Sequence, residues 1–381
     1  MHDLVPPNRA NGNFGTKSAR RGIEYHVARK WAGSAADIIG VAELNDPSQQ
    51  IVVAQFDGTL QRMSIPPPNS EEPRTIRSTA HYHHPPGSSV HTLATSGDNI
   101  MTTTSTGLVS LFKASSPWTK PISLQLKQSS RAWSSLLSTN SIVEPCLMIG
   151  VSRTIDVHYL DATGVPSPTP TQQLIGSDTS RASPYDLCLA PSTSVHHPKT
   201  LLSAWYDSCI RLHDLRSSSA RPTLTFHDPW ADSPMYSCCF TGEYHIVGGG
   251  ARHGLLGIWD TRFPKTGNGW SLFTPGGKGS PVYKLQGEGG RIWGVTEKRG
   301  FMLAFDGSGN EENGMVMENA RNSQAGVRGR PTEVPTKFRS RGGKWGWSVR
   351  YQQEEDRAEE LGMGYLHRDK VVKLFDSLPV R

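Results

Sequence analysis

The stretch IVGGGARHGLLGIWDTR, residues 246–262, separates two possible folds. Its glycines and basic residues fit either a loop that cradles a phosphate or a tight turn between two strands, the second ending in Trp-Asp. A dinucleotide-binding fingerprint needs G-x-G-x-x-G between a strand and a helix. Here Gly248 and Gly250 are followed at the third required position by His253, and LLGIWD continues as a strand. The sequence therefore favours the turn, with glycines that relieve crowding and allow positive φ.

Relatives of this stretch recur along the chain, which is typical of a repeat protein. Each has a short apolar strand, a turn rich in Gly, Asp or Arg, and a second strand ending in an aromatic residue or His. There are seven, namely VVAQFDGTLQRMSI from Val52, IMTTTSTGLVSLFK from Ile100, LMIGVSRTIDVHYLD from Leu147, LLSAWYDSCIRLHDLR from Leu201, the stretch above, RIWGVTEKRGFMLAFD from Arg291 and MGYLHRDKVVKLFDS from Met363.

The spacing of these relatives indicates the kind of repeat. Equivalent residues near the ends of the second strands are Phe112, Tyr159, His213, Trp259, Phe305 and Phe375, at steps of 47, 54, 46, 46 and 70 residues. Three of the steps lie close to the WD-repeat period of about 40–45 residues. Further apolar strands come before most hairpins, and shorter candidates follow several. Four short strands per repeat form a propeller blade, which stacks against its neighbours to bury both faces.

The sequence therefore predicts an all-β fold, a seven-bladed WD-repeat β-propeller over residues 38–378. Residues 1–37 are expected to form an N-terminal extension, with one strand at 23–28 that joins the last blade and helps to close the ring. Residues 307–342 are expected to be a polar, basic insertion. Trp259 is expected to pack between blades and Asp260 to cap a turn.

Composition agrees with many short elements joined by turns, since the chain has 38 Gly, 27 Pro and 35% hydrophobic residues. The formal net charge of +6 fits an acidic partner. Five cysteines without CxxC spacing indicate reduced thiols of an intracellular protein, all in predicted buried strands except Cys146. No apolar run approaches the roughly 20 residues that cross a bilayer, so we expect a soluble protein, cytoplasmic or nuclear.

The most specific pattern lies in residues 201–306. There LLSAWYDSCIRLHDLR leads into LTFHDPWADSPMYSCCFTGEYHIVGGGARHGLLGIWDTR and then into GSPVYKLQGEGGRIWGVTEKRGFMLAFD. This resembles the F-box and WD-repeat proteins of the dactylin type, with their D-x-C-[IV]-R-L-x-D-L-R, G-x-x-x-x-G-x-[VL]-x-[IL]-W-D-x-R and S-P-V-Y motifs. The resemblance implies a propeller that holds substrate and an F-box that docks on the adaptor subunit of a cullin ubiquitin ligase.

An F-box would appear as a helical LP-x-x-[IL]-L-x-x-[IL] pattern, and residues 1–37 contain none. The ligase adaptor is therefore expected as a partner only through an F-box in a longer form. Three interpretations remain open: a truncated chain, a splice form, or a relative that has only the propeller.

Candidate partner-binding residues come from the turns between second and third strands, which share one rim with the connections between blades. The best candidates are Arg153, Tyr206, Arg252, His253 and Arg299, together with Trp230 of the HDPWAD connection as an aromatic anchor. Basic residues outnumber acidic ones in these turns, which favours acidic or phosphorylated peptides as partners. The alternatives are solvated turn residues, an Asp207 that bonds its own turn, and a Trp230 that fills the groove between blades.

Other patterns point to weaker hypotheses. The interval 321–350 has eight Lys or Arg against one acid, Glu333, and would contact nucleic acid, act as a nuclear localisation patch, or only keep a loop soluble. Two histidine groups, 81–84 and 196–197, lack ligand spacing, so we expect surface histidines and no metal or cofactor. No catalytic motif stands out, and the predicted function is a noncatalytic protein-interaction platform, with an RNA- or chromatin-associated scaffold as the alternative.

Overall fold

In the computed structural model, the described residues are 26–27, 37–44, 50–66, 75–84, 89–127, 131–139, 143–177, 182–228, 233–252, 254–264, 269–274, 280–297, 300–305, 337–339 and 345–347. The chain divides into two compact units, Met1–Ile149 with Val157–Thr171, and Gly150–Asp156 with Gln172–Arg381. The described residues form strands joined by turns, with no α-helix, and hence none that is long and apolar enough to cross a membrane.

The first sheet has five strands in the order β1-β5-β4-β3-β2. They are β1 (His26–Val27), β2 (Ile38–Glu43), β3 (Gln50–Gln55), β4 (Leu60–Ser64) and β5 (Thr75–Tyr82). Neighbours are antiparallel except β1, which pairs parallel with β5 through His26 and Thr75. The strand expected at 23–28 thus exists at His26–Val27 and pairs with the first sheet, while the last blade, which it was expected to join, lies outside the described residues. The open outer edge of β5 accepts it there.

The next four-stranded sheets have their strands in chain order, each neighbour antiparallel where the register is given. The second sheet contains β6 (Val90–Ser96), β7 (Asn99–Thr104), β8 (Leu108–Lys113) and β9 (Ile122–Gln125). The third contains β10 (Ser134–Ser138), β11 (Cys146–Gly150), β12 (Thr154–Tyr159) and β13 (Gln172–Ile175). Cys146 begins β11 and is fully buried, so it belongs to a core strand like the other four cysteines.

The remaining sheets lie in the second unit. The fourth contains β14 (Pro184–Leu189), β15 (Thr200–Trp205), β16 (Cys209–Asp214) and β17 (Leu224–His227). The fifth contains β18 (Met235–Thr241), β19 (His245–Gly250), β20 (Leu255–Asp260) and β21 (Trp270–Phe273). The sixth contains β22 (Val282–Glu288), β23 (Arg291–Thr296) and β24 (Gly300–Ala304). A separate ribbon pairs β25 (Lys337–Arg339) with β26 (Trp345–Trp347).

This succession of small antiparallel sheets is a β-propeller, as the sequence predicts. Six of the seven predicted hairpins are confirmed, as β3–β4, β7–β8, β11–β12, β15–β16, β19–β20 and β23–β24. The described residues hold six blade-like sheets where seven blades were predicted. The hairpin from Met363 lies outside them, as does most of the predicted insertion at 307–342. The predicted nucleic-acid segment is described only in the two strands of the ribbon.

The glycine-rich stretch at residues 246–262 is a strand followed by a turn and a second strand. Gly248 and Gly249 lie inside β19, while positive φ occurs at Gly254 in the turn, at +61°. A Cβ on Gly248 would lie 2.9 Å from Cδ1 of Ile210 on β16, and one on Gly249 would lie 2.8 Å from Cβ of Val282 on β22. The glycines therefore let the fifth sheet approach both of its neighbours closely.

Trp259 and Asp260 have the structural roles expected of them. Trp259 is buried in a cluster of residues from the fourth and fifth sheets, with its ring centroid 6.2 Å from that of Phe226. The Asp260 carboxylate accepts a 3.0 Å hydrogen bond from the backbone N–H of Arg262 and pairs with that guanidinium. Strand β20 therefore ends in a tryptophan that packs in the core, followed by a turn that Asp260 caps.

All five cysteines are free thiols, in agreement with the sequence-based expectation. Burial raises the pKa of Cys188 and of Cys209 to about 11, and it raises the pKa of Cys238 and Cys239 well above the usual value. The thiols therefore stay protonated at neutral pH and act as small core side chains.

Gly249→Ala tests the close packing of the fifth sheet. The added methyl meets Val282 and Ser237, and we expect the free energy of unfolding to fall by about 1–3 kcal/mol, as overpacked cores show. Gly300→Ala is the matched control, because its nearest neighbour would be 4.0 Å away. Urea unfolding of both variants is the measurement. Equal stability of the two variants would contradict the packing argument.

His213 makes stability depend on pH. Its ring is buried on β16, and Nε2 donates to the carbonyl oxygen of Ile175 at 3.0 Å. Burial lowers the pKa of His213 to about 4, despite the opposing effect of that bond. The unfolded chain therefore binds a proton below the ordinary pKa of about 6.5 while the folded chain does not, so stability falls as the pH drops from 6.5 towards 4.

Between pH 7 and pH 5 we expect His213 to account for a loss of about 1–2 kcal/mol. Urea unfolding at several pH values should show a shallower loss for His213→Gln than for the natural chain. His197→Gln, at an exposed histidine, is the control and should keep the natural slope. A His213→Gln slope equal to that of the control would refute the assignment.

Candidate functional site

Three tyrosines occupy the same place on the first strands of three successive sheets. Tyr185, Tyr236 and Tyr283 are the second residues of β14, β18 and β22. In each strand the pairing register shifts at the tyrosine, so each sits at a β-bulge. A bulge leaves the extra residue out of the ladder and turns its side chain away from the sheet. The repeat therefore presents a tyrosine at one end of each of the three sheets.

The same end of each sheet carries the turn between the second and third strands. The register pairs Pro184 with Trp205 and Met235 with Gly250, so the start of the first strand lies beside the end of the second. The turns that follow contain Tyr206 and Arg252. This is the rim expected from the sequence, and it brings together side chains from the fourth, fifth and sixth sheets.

The tyrosine rings form a stack. Tyr185 lies between Tyr206 and Tyr236, with centroid distances of 5.5 and 5.0 Å and interplanar angles of 28° and 7°. Tyr206, at one end of this stack, is 49% exposed, and Tyr283 on β22 is 51% exposed. Stacked rings support each other and hold their neighbours in place. Together with Arg252 these four tyrosines are called the tyrosine surface below.

Arg252 adds a positive charge to the tyrosine surface. Its backbone N–H donates to Oγ of Ser233 at 3.0 Å. This bond ties the turn between β19 and β20 to the residues just before β18. Its side chain is exposed, and among the described residues it has no hydrogen-bonding or ionic partner. Burial raises the pKa of Tyr236, Tyr206 and Tyr283 raise it further, and Arg252 opposes the rise. The four groups are therefore close enough to interact electrostatically, and the Tyr236 phenol remains neutral.

The turn that carries Tyr206 is held from below by a buried ion pair. Arg211 on β16 donates to both carboxylate oxygens of Asp207 at 2.8 and 2.7 Å, and its guanidinium lies 5.0 Å from the centroid of Trp205. Ser208 completes the turn with φ of 65°. Asp207 therefore anchors the turn to the neighbouring strand through a bidentate bridge, instead of only bonding its own turn. This rigid support fixes the position of Tyr206.

One carboxylate behind the tyrosine surface links the three sheets. Asp186, next to Tyr185, has a side chain only 11% exposed. It accepts a 3.0 Å hydrogen bond from the backbone N–H of Cys238 on β18 and a 2.6 Å hydrogen bond from Nζ of Lys284 on β22. Cys238 is two residues after Tyr236, and Lys284 directly follows Tyr283. The two bonds therefore fix all three bulges relative to one another.

The predicted site residues are distributed unevenly. Tyr206 and Arg252 lie on the tyrosine surface. Arg153 is exposed, with φ of 78°, in the turn between β11 and β12, and no described contact joins it to that surface. Trp230, His253 and Arg299 lie outside the described residues, so their predicted roles stay predictions. The preference for acidic or phosphorylated peptides also stays a prediction.

Sequence reasoning missed Tyr185, Tyr236 and Tyr283, although the signal was present. The three first strands read PYDLCL, MYSCCFT and VYKLQGE, with Tyr always in second place. Alternation within a strand would have assigned the residue to one sheet face. Only the bulge turns the tyrosine side chain towards the rim, and the sequence pattern does not predict the bulge.

The histidine groups bond to hydroxyls. Nε2 of His84 lies 3.2 Å from Oγ1 of Thr102, and burial lowers the pKa of His84 to about 4. Nε2 of His196 lies 3.0 Å from Oγ1 of Thr261. Within the described ranges, no group of three His, Cys, Asp or Glu residues has the arrangement of a metal site.

Comparisons with known proteins agree with the resemblance to WD-repeat propellers. No protein-family model matches the chain. It is 35% identical over 89 residues to F-box/WD repeat-containing protein 4 of Mus musculus, and 33% identical over 96 residues to the protein of the same name from Homo sapiens. Each match covers 23% of this chain and 21% of the relative, so the chain spans about a fifth of the length of these relatives.

A solved structure shows the same fold. The structure of Chaetomium thermophilum Raptor superposes with a TM-score of 0.55 at 12% identity, over 71% of this chain and 24% of that chain. At this identity the likeness concerns the fold alone. The WD-repeat propeller resemblance is thus supported, while neither these matches nor the described residues show an F-box.

Asp186→Asn tests the link behind the tyrosine surface. The amide can still accept from Cys238 but loses the charge that binds Lys284, so we expect the free energy of unfolding to fall by about 1–2 kcal/mol. The loss is modest because the Lys284 side chain is largely exposed. Asp260→Asn is the control, since Asp260 bonds Arg262 within one turn whereas Asp186 joins different sheets, and it should cost less than about 1 kcal/mol. Urea unfolding that ranks Asp260→Asn as the more damaging change would contradict the role given to Asp186.

Proposed function

We propose that this chain is a noncatalytic interaction platform whose tyrosine surface holds protein substrates for an SCF-type cullin ubiquitin ligase. The propeller fold and the similarity to WD-repeat proteins support a protein-interaction scaffold. The ligase role goes beyond that support and rests on the resemblance of residues 201–306 to the F-box and WD-repeat proteins. A longer form of the protein with an F-box would connect the platform to the ligase.

The tyrosine surface is the observation that carries the proposal. Tyr and Arg are enriched at the energetic centres of protein interfaces, because Tyr offers a large, amphipathic ring with few rotatable bonds and Arg offers a planar guanidinium that makes several hydrogen bonds. Here two half-exposed rings and one exposed guanidinium lie on a base that is fixed by the stacking of Tyr206 on Tyr185 and by the Arg211–Asp207 and Lys284–Asp186 ion pairs. Such a base loses little conformational entropy when a partner binds.

The chemistry of the surface favours binding over catalysis. The raised pKa of Tyr236, caused first by burial, keeps its phenol protonated at physiological pH, so this group is not available as a general base. A nucleophile activated by an adjacent base is the usual sign of covalent catalysis, and the surface does not pair such groups. We therefore propose protein partners. The described residues do not support the alternative of an RNA- or chromatin-associated scaffold.

Affinity purification of the tagged chain from its own cells, followed by mass spectrometry, tests this function. The natural chain should recover partners that the Tyr206→Ala/Tyr283→Ala double variant loses, with losses of at least tenfold in recovered amount. A Trp118→Ala variant is the control, because Trp118 is 85% exposed and lies in the first unit, outside the tyrosine surface. Cullin and its F-box-binding adaptor should appear with any longer form that contains an F-box.

Two results would count against the proposal in different ways. Recovery of partners that depend on the tyrosine surface, with no ligase subunits recovered by any form of the protein, would refute the ligase role. The proposal of an interaction platform would then still hold. Partners unaffected by the double variant would refute the tyrosine surface as the binding site.

A further inference from the structure

The tyrosine surface has a composition that limits what it can bind. Its exposed side chains are the half-exposed phenol rings of Tyr206 and Tyr283 and the guanidinium of Arg252. A groove for an amphipathic helix presents aliphatic pockets for side chains one turn apart. Flat, rigid aromatic rings instead suit a ligand that offers flat apolar rings and backbone acceptors.

Extended proline-containing segments have these properties. A polyproline II helix has no internal hydrogen bonds, so its carbonyl oxygens remain available, and its proline rings pack into aromatic-lined grooves. The segment is also already extended when free, so it loses little entropy on binding. Tyr206 and Tyr283, on sheets separated by the fifth sheet, offer ring faces for prolines and hydroxyls that donate to carbonyls.

Charge selects among such segments. The ammonium of Lys284 is neutralised by Asp186, and the guanidinium of Arg211 is neutralised by Asp207. Arg252 has no such partner among the described residues, so it supplies an uncompensated positive charge to the tyrosine surface, close enough to Tyr236 to interact with it. Glu297, in the turn that follows β23, places a negative charge at the Tyr283 end. An acidic group of the ligand therefore belongs next to Arg252, away from Glu297.

We propose that the tyrosine surface binds an extended, proline-containing peptide segment whose anionic side chain pairs with Arg252. This inference rests on the proposed function, since it names the class of segment that the platform recognises in its partners. The anion is a carboxylate or a phosphate, and the two share the ability to accept two hydrogen bonds from a guanidinium.

Fluorescence polarisation of the full chain with labelled synthetic peptides tests the proposal. The reference peptide carries a Pro-x-x-Pro core with one Glu beside it. Matched peptides replace both prolines by Ala, or the Glu by Gln, Lys or phosphoserine. We expect at least tenfold weaker binding without the prolines and about three- to tenfold weaker binding with Lys in place of Glu, an effect that shrinks as salt is added.

Variants of the chain locate the binding. Tyr283→Ala should weaken binding of the reference peptide at least tenfold, and Tyr283→Phe should fall between Ala and the natural residue because it keeps the ring without the hydroxyl. Arg252→Gln should abolish the preference for Glu over Lys. Arg216→Gln, whose exposed guanidinium pairs with Asp214, is the control and should leave affinity unchanged, whereas Glu297→Gln, which removes the negative charge near Tyr283, should raise it. Urea unfolding midpoints equal to that of the natural chain show that the variants fold.

The outcomes separate this inference from the proposed function. Tighter binding of the phosphoserine peptide than of the Glu peptide supports the site and identifies phosphate as the anion. Equal binding of the Pro and Ala peptides, or no binding of any proline-containing peptide at millimolar concentration, overturns the inference. In that case, cellular partners that still depend on Tyr206 and Tyr283 would support the interaction platform without the proline preference. Cellular partners that depend on neither tyrosine would refute both proposals.

Discussion

The close contact between successive sheets is the constraint on which the rest of the second unit depends. A small antiparallel sheet with two apolar faces must cover both, and here β19 of the fifth sheet meets side chains of the fourth and sixth. Gly248 and Gly249 leave the space that Ile210 and Val282 occupy. Ser237 adds a bond across the same contact, with Oγ donating to the carbonyl of Val282 at 2.9 Å. The sheets therefore have little freedom to shift against one another.

The tyrosine surface follows from this rigidity. The bulges at Tyr185, Tyr236 and Tyr283 turn their side chains to one end, and the Asp186 link keeps those bulges in fixed relation. The polar groups that join the sheets lie behind the rings, so the aromatic faces remain available for a partner. The contacts that stabilise the fold and the proposed binding groups are thus different atoms of the same strands, and a change at Tyr283 need not weaken the fold.

Most of the fold was predictable, whereas most of the surface was not. The hairpins follow from local alternation and turn residues, and the spacing of aromatic residues such as His213 and Trp259 gave the repeat. The pairing of β1 with β5 was not predicted, because it depends on which distant edge is open. The surface depends on bulges and on stacking between sheets, which involve residues far apart in sequence. Tyr206 and Arg252 were identified because turn positions follow from the hairpins themselves.

Site-specific photo-crosslinking in cells tests the central claim most directly. A photoreactive phenylalanine analogue would replace Tyr283 in one variant and Trp118 in another, since both side chains are exposed. We predict that position 283 crosslinks to a protein partner through a proline-containing segment and that position 118 does not crosslink to that partner. A partner captured from position 118 and never from position 283 would contradict it.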